Sequence, residues 1–312
     1  MINIVTEVPL EMAGMRLDAA LAKMLPEYSR ERLKGWLKSG QCLVNSSQVK
    51  PNIKVVGGES IIVNAHLPDM QQWNEPEDIS LDIVFEDEHM LIVNKQKGMV
   101  VHPGAGNLTG TLVNGLLYHD LSLKKLPRAG IVHRIDKDTT GLLIVAKTIT
   151  AHNVLINQMQ ERKINRAYYA LVYGEIISGK TINAPIGRSN KDRTKMAVTN
   201  NGREAITHYR IKTKFRKFTL LDIKLETGRT HQIRVHLAHD SFPIVGDISY
   251  GGKRKCAVSF SNEAQETINA FVRQALHAYN ISFNHPITNV AMDFSADIPK
   301  DFQNLIDVIA KE

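Results

Sequence analysis

Residues 128–148 read RAGIVHRIDKDTTGLLIVAKT. Between two short apolar stretches, 129–132 and 142–146, stand two carboxylates, Asp136 and Asp138, among His133, Arg134 and Lys137. The second stretch is branched and uninterrupted, the pattern of a buried strand. A charged loop held beside such a strand suits catalysis. Either carboxylate can serve as a nucleophile or stabilise a developing cation. In a partly dry pocket it must stay ionised against desolvation, and a fixed guanidinium is the counter-charge that keeps its proton. TGRTHQIRVH, residues 227–236, supplies two, Arg229 and Arg234. INRAYYALVYG, residues 164–174, adds adjacent tyrosines, Tyr168 and Tyr169. Neighbours on a strand point to opposite faces, so only one can enter a pocket.

These residues need a scaffold. After residue 80 the runs LDIVFED, MLIVNK, GLLIVAK, AYYALVYG and FTLLDIKLE are strand-like. Helices are expected at 111–118 and, behind the cap Thr150, at 151–163. The pattern predicts a mixed domain with a large sheet over 81–312. Ahead of it, Leu17, Ala20, Leu21, Met24 and Leu25 share one helical face, and Pro26 ends that helix. Ser29 is the expected cap of a second helix, with Leu33, Trp36 and Leu37 inward and Gly40 closing it. Short strands are expected near 42–45 and 60–64, completing a small domain over 1–65. Residues 66–80 hold two prolines and four acids without Lys or Arg. That is a linker composition and predicts a loose tether.

A net charge of +7 favours a polyanionic partner. Arg30, Arg32, Lys34 and Lys38 fall on the second helix away from its apolar positions. Arg210, Lys212, Lys214 and Arg216 alternate with Ile211, Thr213 and Phe215, which puts four cations on one face of a regular strand. A bound polyanion would relieve their repulsion, and protection of an exposed edge would explain them equally. Arg188, Lys191, Arg193 and Lys195 form a second cluster, in a loop. Cys42 and Cys256 are the only cysteines. They suggest a reducing compartment and exclude a multi-cysteine zinc site. The amino terminus has no basic segment and no window reaches eighteen apolar residues, so a soluble cytoplasmic protein is expected.

Three motifs are decoys. GEIISGKT, residues 174–181, matches a phosphate-loop spelling, but TINAPIG follows without helical period, and a hairpin turn at 178–180 is the better account. GAGNLTG, residues 104–110, lacks the acidic ribose ligand of a dinucleotide loop. His231, His236 and His239 lack metal-site spacing and read as packing or hydrogen-bonding residues.

The loop spelling HRIDKDTTGLL resembles the HRLDxxTSGLL signature of the RluA-type pseudouridine synthases. The likeness continues in family order through VNKQKGMVVHPGAGN, GTLVNGLL, INRAYYALVYG, APIGR, THYR, LETGRTHQIRVHLAH, PIVGD and QALHA. RLDAALAKMLPEYSRERLKGWLKSGQCLVN is similar to the S4 (alpha-L type) RNA-binding module. The resemblance implies an α+β protein, a small S4 domain followed by a mixed, largely antiparallel catalytic sheet. It implies isomerisation of uridines, without cofactor or metal, in 23S rRNA or a large-subunit precursor, at the stem-loop called helix 69. A monomer is expected. HRLD maps onto His133, Arg134, Ile135 and Asp136, which makes Asp136 the catalytic residue and leaves Asp138 to bond loop amides. GRxHQxR gives Arg234 as its ion-pair partner, with Arg229 structural or in contact with RNA. RxYxA aligns Tyr168 with a pocket tyrosine that stacks on the base and assists proton transfer, leaving Tyr169 to the core. Arg134 resembles an arginine that fills the gap left by a flipped nucleotide, and His133 beside it is counted among the RNA contacts. Arg30, Arg32 and Lys34 would meet phosphates. Lys95 and His102 would line the RNA channel or hold structural hydrogen bonds.

Overall fold

The computed structural model of the chain describes residues 2–26, 28, 30–65, 75–104, 107–252 and 260–312. It divides into two units, Met1–Gln71 and Gln72–Glu312. In the first, β1 (Ile2–Glu7), α1 (Leu17–Met24), α2 (Arg30–Ser39), β2 (Cys42–Val44) and β3 (Ser60–Ala65) follow in order. The strands pair antiparallel as β1-β3-β2. Leu17 and Leu21 of α1 and Leu33, Trp36 and Leu37 of α2 share a core with Ile61 and Val63 of β3, as the helical spacing predicts. Gly40 ends α2 at φ 75°, where a side chain would be strained. Ser29, the expected cap, lies outside the described residues. Strand β1 was not anticipated: INIVTE buries neither face fully, so its alternation is faint.

A buried carboxylate changes the role of α2. Asp18 is fully buried and meets Arg16 at 3.1 Å, Arg30 at 2.9 Å and Lys34 at 3.8 Å. The hydrogen bond from Arg16 holds its carboxyl far below the usual range; burial opposes this, and Arg30 adds to it. Two of the helix cations therefore lean on an internal acid instead of standing clear on a solvent face.

The second unit runs through β4 (Ile83–Glu86), β5 (Met90–Lys95), α3 (Leu112–His119), β6 (Thr140–Ala146), α4 (Ile149–Gln160), β7 (Asn165–Tyr173), β8 (Lys180–Asn183), β9 (Ile186–Arg188), β10 (Met196–Val198), β11 (Ile206–Phe215), β12 (Phe218–Leu225), α5 (Gln232–His239), α6 (Ile248–Gly251), α7 (Asn262–Ala270), β13 (Leu276–Asn284), β14 (Ala291–Ser295) and α8 (Lys300–Ile309). Nine strands form one sheet, ordered β4-β5-β6-β13-β7-β12-β11-β8, with β14 paired to β13. Every pairing is antiparallel except that of β6 with β13. The protein thus has the expected α+β class and a largely antiparallel sheet.

All seven residues of β6 are buried because the sheet is covered on both faces. Leu143 and Val145 belong to the core that includes Leu112 and Leu116 of α3 and Phe302 of α8. Leu142 and Ile144 belong to the opposite core, with Ala151 and Leu155 of α4. Each such side chain contributes about 1.5–3 kcal/mol by burial, which makes β6 a rigid base for the loop preceding it. Gly141 lets β6 approach β13: at φ 115°, a Cβ there would stand 2.1 Å from the Ala278 carbonyl oxygen.

Several expectations are corrected. Asn114 donates to the Glu75 carbonyl, Glu77 N–H to the Asn114 carbonyl, and Gly110 N–H to the Glu77 carboxylate. Residues 75–80 therefore belong to the second unit and shorten the supposed linker 66–80; residues 66–74 lie outside the described ones. Thr148, not Thr150, caps α4, its hydroxyl accepting from Ala151 N–H at 3.2 Å. Residue 148 is extended while 150 is already helical. The segment 174–181 makes no hairpin, because β8 pairs with β11 rather than β7. A strand follows its Gly-Lys-Thr, so the helix that a phosphate loop requires is absent there. In 104–110, Gly104 and Asn107 exchange backbone hydrogen bonds; residues 105 and 106 lie outside the described ones. In β11 the register slips between Ile211 and Thr213, so Lys212 is the extra residue of a bulge. Arg210 pairs opposite Asp222 but Lys214 opposite Thr219, residues of opposite parity on β12. The four cations thus do not share one face.

Candidate active site

The polar loop enters through backbone that few residues tolerate. Arg128, Ala129 and Gly130 have φ of 54°, 51° and 80°. A Cβ on Gly130 would lie 1.9 Å from the Ala146 carbonyl oxygen, so only glycine lets this turn press against β6. Ile131 then bridges Val145, and Thr139 N–H closes a turn on the Asp136 carbonyl at 3.1 Å. Lys95 clamps the loop from β5. Its side chain is 1% exposed, and its ammonium donates to the carbonyls of Gln96, Met99 and Lys137 at 2.8, 3.0 and 2.8 Å. Burial pulls its pKa down to about 7; the charges of Asp138 and Asp136 oppose the shift, and only an ammonium can serve three carbonyls at once. Arg273, paired with Asp301, donates to the Asp138 carbonyl at 3.3 Å, and Gln274 donates to the Thr139 hydroxyl at 3.0 Å. Lys95 is therefore structural, as one of its two expected roles required.

Asp136 faces a cavity of about 600 Å³. Arg234 of α5 donates to its Oδ2 from Nη1 at 3.1 Å. The same guanidinium holds Asp247 through a fork, Nε to Oδ2 at 2.7 Å and Nη2 to Oδ1 at 2.9 Å. Burial works against the Arg234 charge, but the bonds and charge of Asp247, then those of Asp136, raise its pKa further. The Tyr250 ring lies beneath it, 5.0 Å from the guanidinium carbon. Asp247 also caps α6, its Oδ1 accepting from Ser249 and Tyr250 N–H. His231, the left-handed cap of α5 at φ 57°, bonds the Tyr250 hydroxyl at 2.6 Å and brings Nε2 within 3.9 Å of Asp136 Oδ1. Gln232 anchors this turn to β11, donating to the Ile206 carbonyl and the Thr207 hydroxyl at 3.0 Å each. His236 bonds Thr207 and the Ala184 carbonyl, the hydrogen-bonding role expected of it.

Tyr168 lines the cavity and Tyr169 turns to the other face, as strand alternation requires. The Tyr168 hydroxyl has no hydrogen-bond partner among the described residues. Burial raises its pKa, so the ring stays neutral and able to donate. Tyr169 is half-buried and packs against the main core: it stacks on Tyr279 at 3.7 Å and accepts a hydrogen bond from Lys212 at 2.8 Å.

The remaining expected residues divide. Arg134 is exposed and lines the cavity. Arg229 lines it too, with Nε donating to the Glu204 carbonyl at 3.0 Å. His133 reaches the lining, but its Nε2 accepts from Ile144 N–H at 3.1 Å and its Nδ1 is buried without a partner. Burial pulls its pKa down to about 3, so it is a neutral brace for β6 and offers no charge to a phosphate. Asp138 makes no carboxylate hydrogen bond among the described residues, contrary to the amide-bonding role expected of it; its carbonyl and charge are used instead. Arg30, Arg32 and Lys34 lie on α2 of the first unit.

Sequence reading missed Asp247 and Tyr250 and gave Arg166, the arginine of RxYxA, no role; His231 holds the hydrogen-bonding role expected of it, on Tyr250. Asp247 is the only charge in PIVGD, and its solitary acid after an apolar run was the available signal. In all, the cavity lining carries six arginines, Arg128, Arg134, Arg162, Arg166, Arg229 and Arg234, against two acids, Asp136 and Glu226. Such a pocket suits a polyanion with one reactive carboxylate at its base. Among the described residues, no cluster of His, Cys, Asp and Glu could hold a metal. No described helix is long and apolar enough to cross a membrane.

Residues 89–239 match the family model described as RNA pseudouridylate synthase. The chain is 46% identical over 312 residues to the ribosomal large subunit pseudouridine synthase D of Pseudomonas aeruginosa, covering 100% of this chain and 97% of that one. It is 48% identical over 297 residues to the protein of that name from Escherichia coli K12, covering 95% and 91%. Among solved structures it resembles human RNA pseudouridylate synthase domain containing 1, with a TM-score of 0.54 and 25% identity over 71% of this chain and 84% of that one.

Proposed function

Because this chain belongs to the RluA-type RNA pseudouridine synthases, we propose that it isomerises uridines of large-subunit ribosomal RNA, with Asp136 as nucleophile. It is an isomerase. The observation that carries the residue assignment is Asp136, held at 3.1 Å by Arg234 in an arginine-lined cavity beside Tyr168. The reaction breaks the bond between ribose C1′ and uracil N1, turns the base, and joins C1′ to C5; C5 gives up its proton and N1 gains one. It is redox-neutral and needs no external energy source. One carboxylate suffices because the base stays bound and no water need attack. The uridine enters flipped out of its stack, and Arg134, exposed at the rim, fills the space it leaves. The substrate proposed is the helix 69 stem-loop of 23S rRNA, free or in a subunit precursor, met by a monomer in the cytoplasm.

Tyr168→Phe separates stacking from proton transfer. Its ring can stack on the uracil, an interaction worth roughly 1–3 kcal/mol. Phe keeps that and removes only the unpartnered hydroxyl. RNA binding should stay near wild type while single-turnover rearrangement slows at least about a hundredfold. Tyr169→Phe should be nearly silent, since its hydroxyl serves Lys212 on the opposite face. Tritium release from 5-³H-uridine RNA measures both. A crippled Tyr169→Phe beside an active Tyr168→Phe would overturn the assignment.

We further propose that the first unit is an S4 module whose helix α2 meets phosphates through Arg30, Arg32 and Lys34. Arg30 and Lys34 also brace Asp18, so removing the whole unit is a cleaner test than changing either. A chain lacking residues 1–71 should fold, since Glu75 and Glu77 are already tied to α3 and the turn before it. Its RNA affinity should fall, with the log–log salt slope smaller by about 0.7–0.9 for each phosphate no longer neutralised. An unchanged slope would place RNA binding wholly in the second unit.

A further inference from the structure

Arg166 is a cavity cation that none of the foregoing uses. It lies on β7 two residues before Tyr168, so strand alternation turns both side chains to the same face, and both line the cavity. Three neighbouring arginines are each satisfied by protein groups: Arg162 by Glu204 and Glu226, Arg229 by the Glu204 carbonyl, Arg234 by Asp247 and Asp136. Arg166 is only 7% exposed, yet its Nε is buried without a partner, and the guanidinium has no ion pair among the described residues. Gly228 makes room for it: a Cβ there would stand 2.6 Å from Nη1. Burial disfavours the charge, and arginine does not escape by losing its proton. A buried guanidinium with no anion is costly unless something else supplies one.

We infer that Arg166 is a substrate-binding residue whose guanidinium takes the backbone phosphate adjoining the uridine seated in this cavity. The planar fork matches the two non-bridging oxygens of a phosphodiester, and RNA brings such an anion with every nucleotide. Because Gly228 has no side chain, Nη1 can lie against its backbone without being displaced. This rests on the proposed RNA substrate.

Arg166→Met in the full chain tests it, because Met keeps much of the volume and removes the charge. A structural role and a ligand role predict opposite results. If the charge is uncompensated until RNA binds, the Met variant melts at or above the wild-type temperature. Its affinity for an rRNA stem-loop should fall at least about tenfold, with the log–log salt slope reduced by about 0.7–0.9. A neutral methylphosphonate placed in turn at each phosphate flanking the target uridine should weaken wild-type binding at one position. At that position it should weaken the Met variant no further. A lowered melting temperature, or wild-type affinity and slope in the Met variant, would overturn the inference, as would additive losses at every phosphate. These readouts need no turnover, so a wild-type chain that binds RNA without isomerising it refutes the proposed function alone. A wild-type chain that does not bind RNA refutes both.

Discussion

Asp136→Asn should abolish isomerisation, a loss on the order of ten-thousandfold or more, the scale seen when a nucleophile is removed. The substitution deletes the anion and nearly preserves shape. The loop that carries it is held by other groups: Lys95 on the Lys137 carbonyl, Arg273 on the Asp138 carbonyl, Gln274 on Thr139. The variant should therefore fold as wild type and bind RNA within a few-fold. Single-turnover assays on an rRNA stem-loop, paired with equilibrium binding, measure the two quantities. Appreciable turnover by the variant would remove Asp136 from the nucleophile's role.

Arg234→Ala should be the second most damaging change, lowering turnover at least about a hundredfold and stability by roughly 3–5 kcal/mol. The guanidinium is 7% exposed and joins two carboxylates, so its removal leaves Asp136 and Asp247 without their shared counter-charge. Asp247 also caps α6, and Tyr250 at that cap bonds His231 beside Asp136, so the wall of the site loosens with it. Arg234→Lys should recover part of the stability and less of the activity, because one ammonium cannot reproduce a fork on Asp247 and a third bond to Asp136. Thermal melts with single-turnover rates decide it. If Arg234→Ala merely halves activity, another cation holds Asp136 in its working state.

Local pattern made much of this legible. The uninterrupted β6, the opposite facing of Tyr168 and Tyr169, and the paired helices of the first unit all follow from period and spelling. The motif likeness singled out Asp136 and Arg234, which the structure brings together from positions 98 residues apart. What stayed hidden was whatever depends on partners distant in sequence. The burial of Asp18 was one such feature, because nothing local shows that Arg16, Arg30 and Lys34 converge on it. Asp247 had no visible partner until α5 placed Arg234 against it. The bulge at Lys212 is a register event, and alternation of residue types cannot reveal it. Nor does the spelling show that His133 Nε2 accepts from the Ile144 amide and braces β6.

The most direct test of the account is pseudouridine mapping of 23S rRNA from cells lacking this protein and supplied with either the wild-type chain or Asp136→Asn. The wild-type chain should restore pseudouridines within the helix 69 loop, and Asp136→Asn should leave those positions as uridine. Pseudouridines that persist in the cells lacking the protein, or that return with Asp136→Asn, would contradict it.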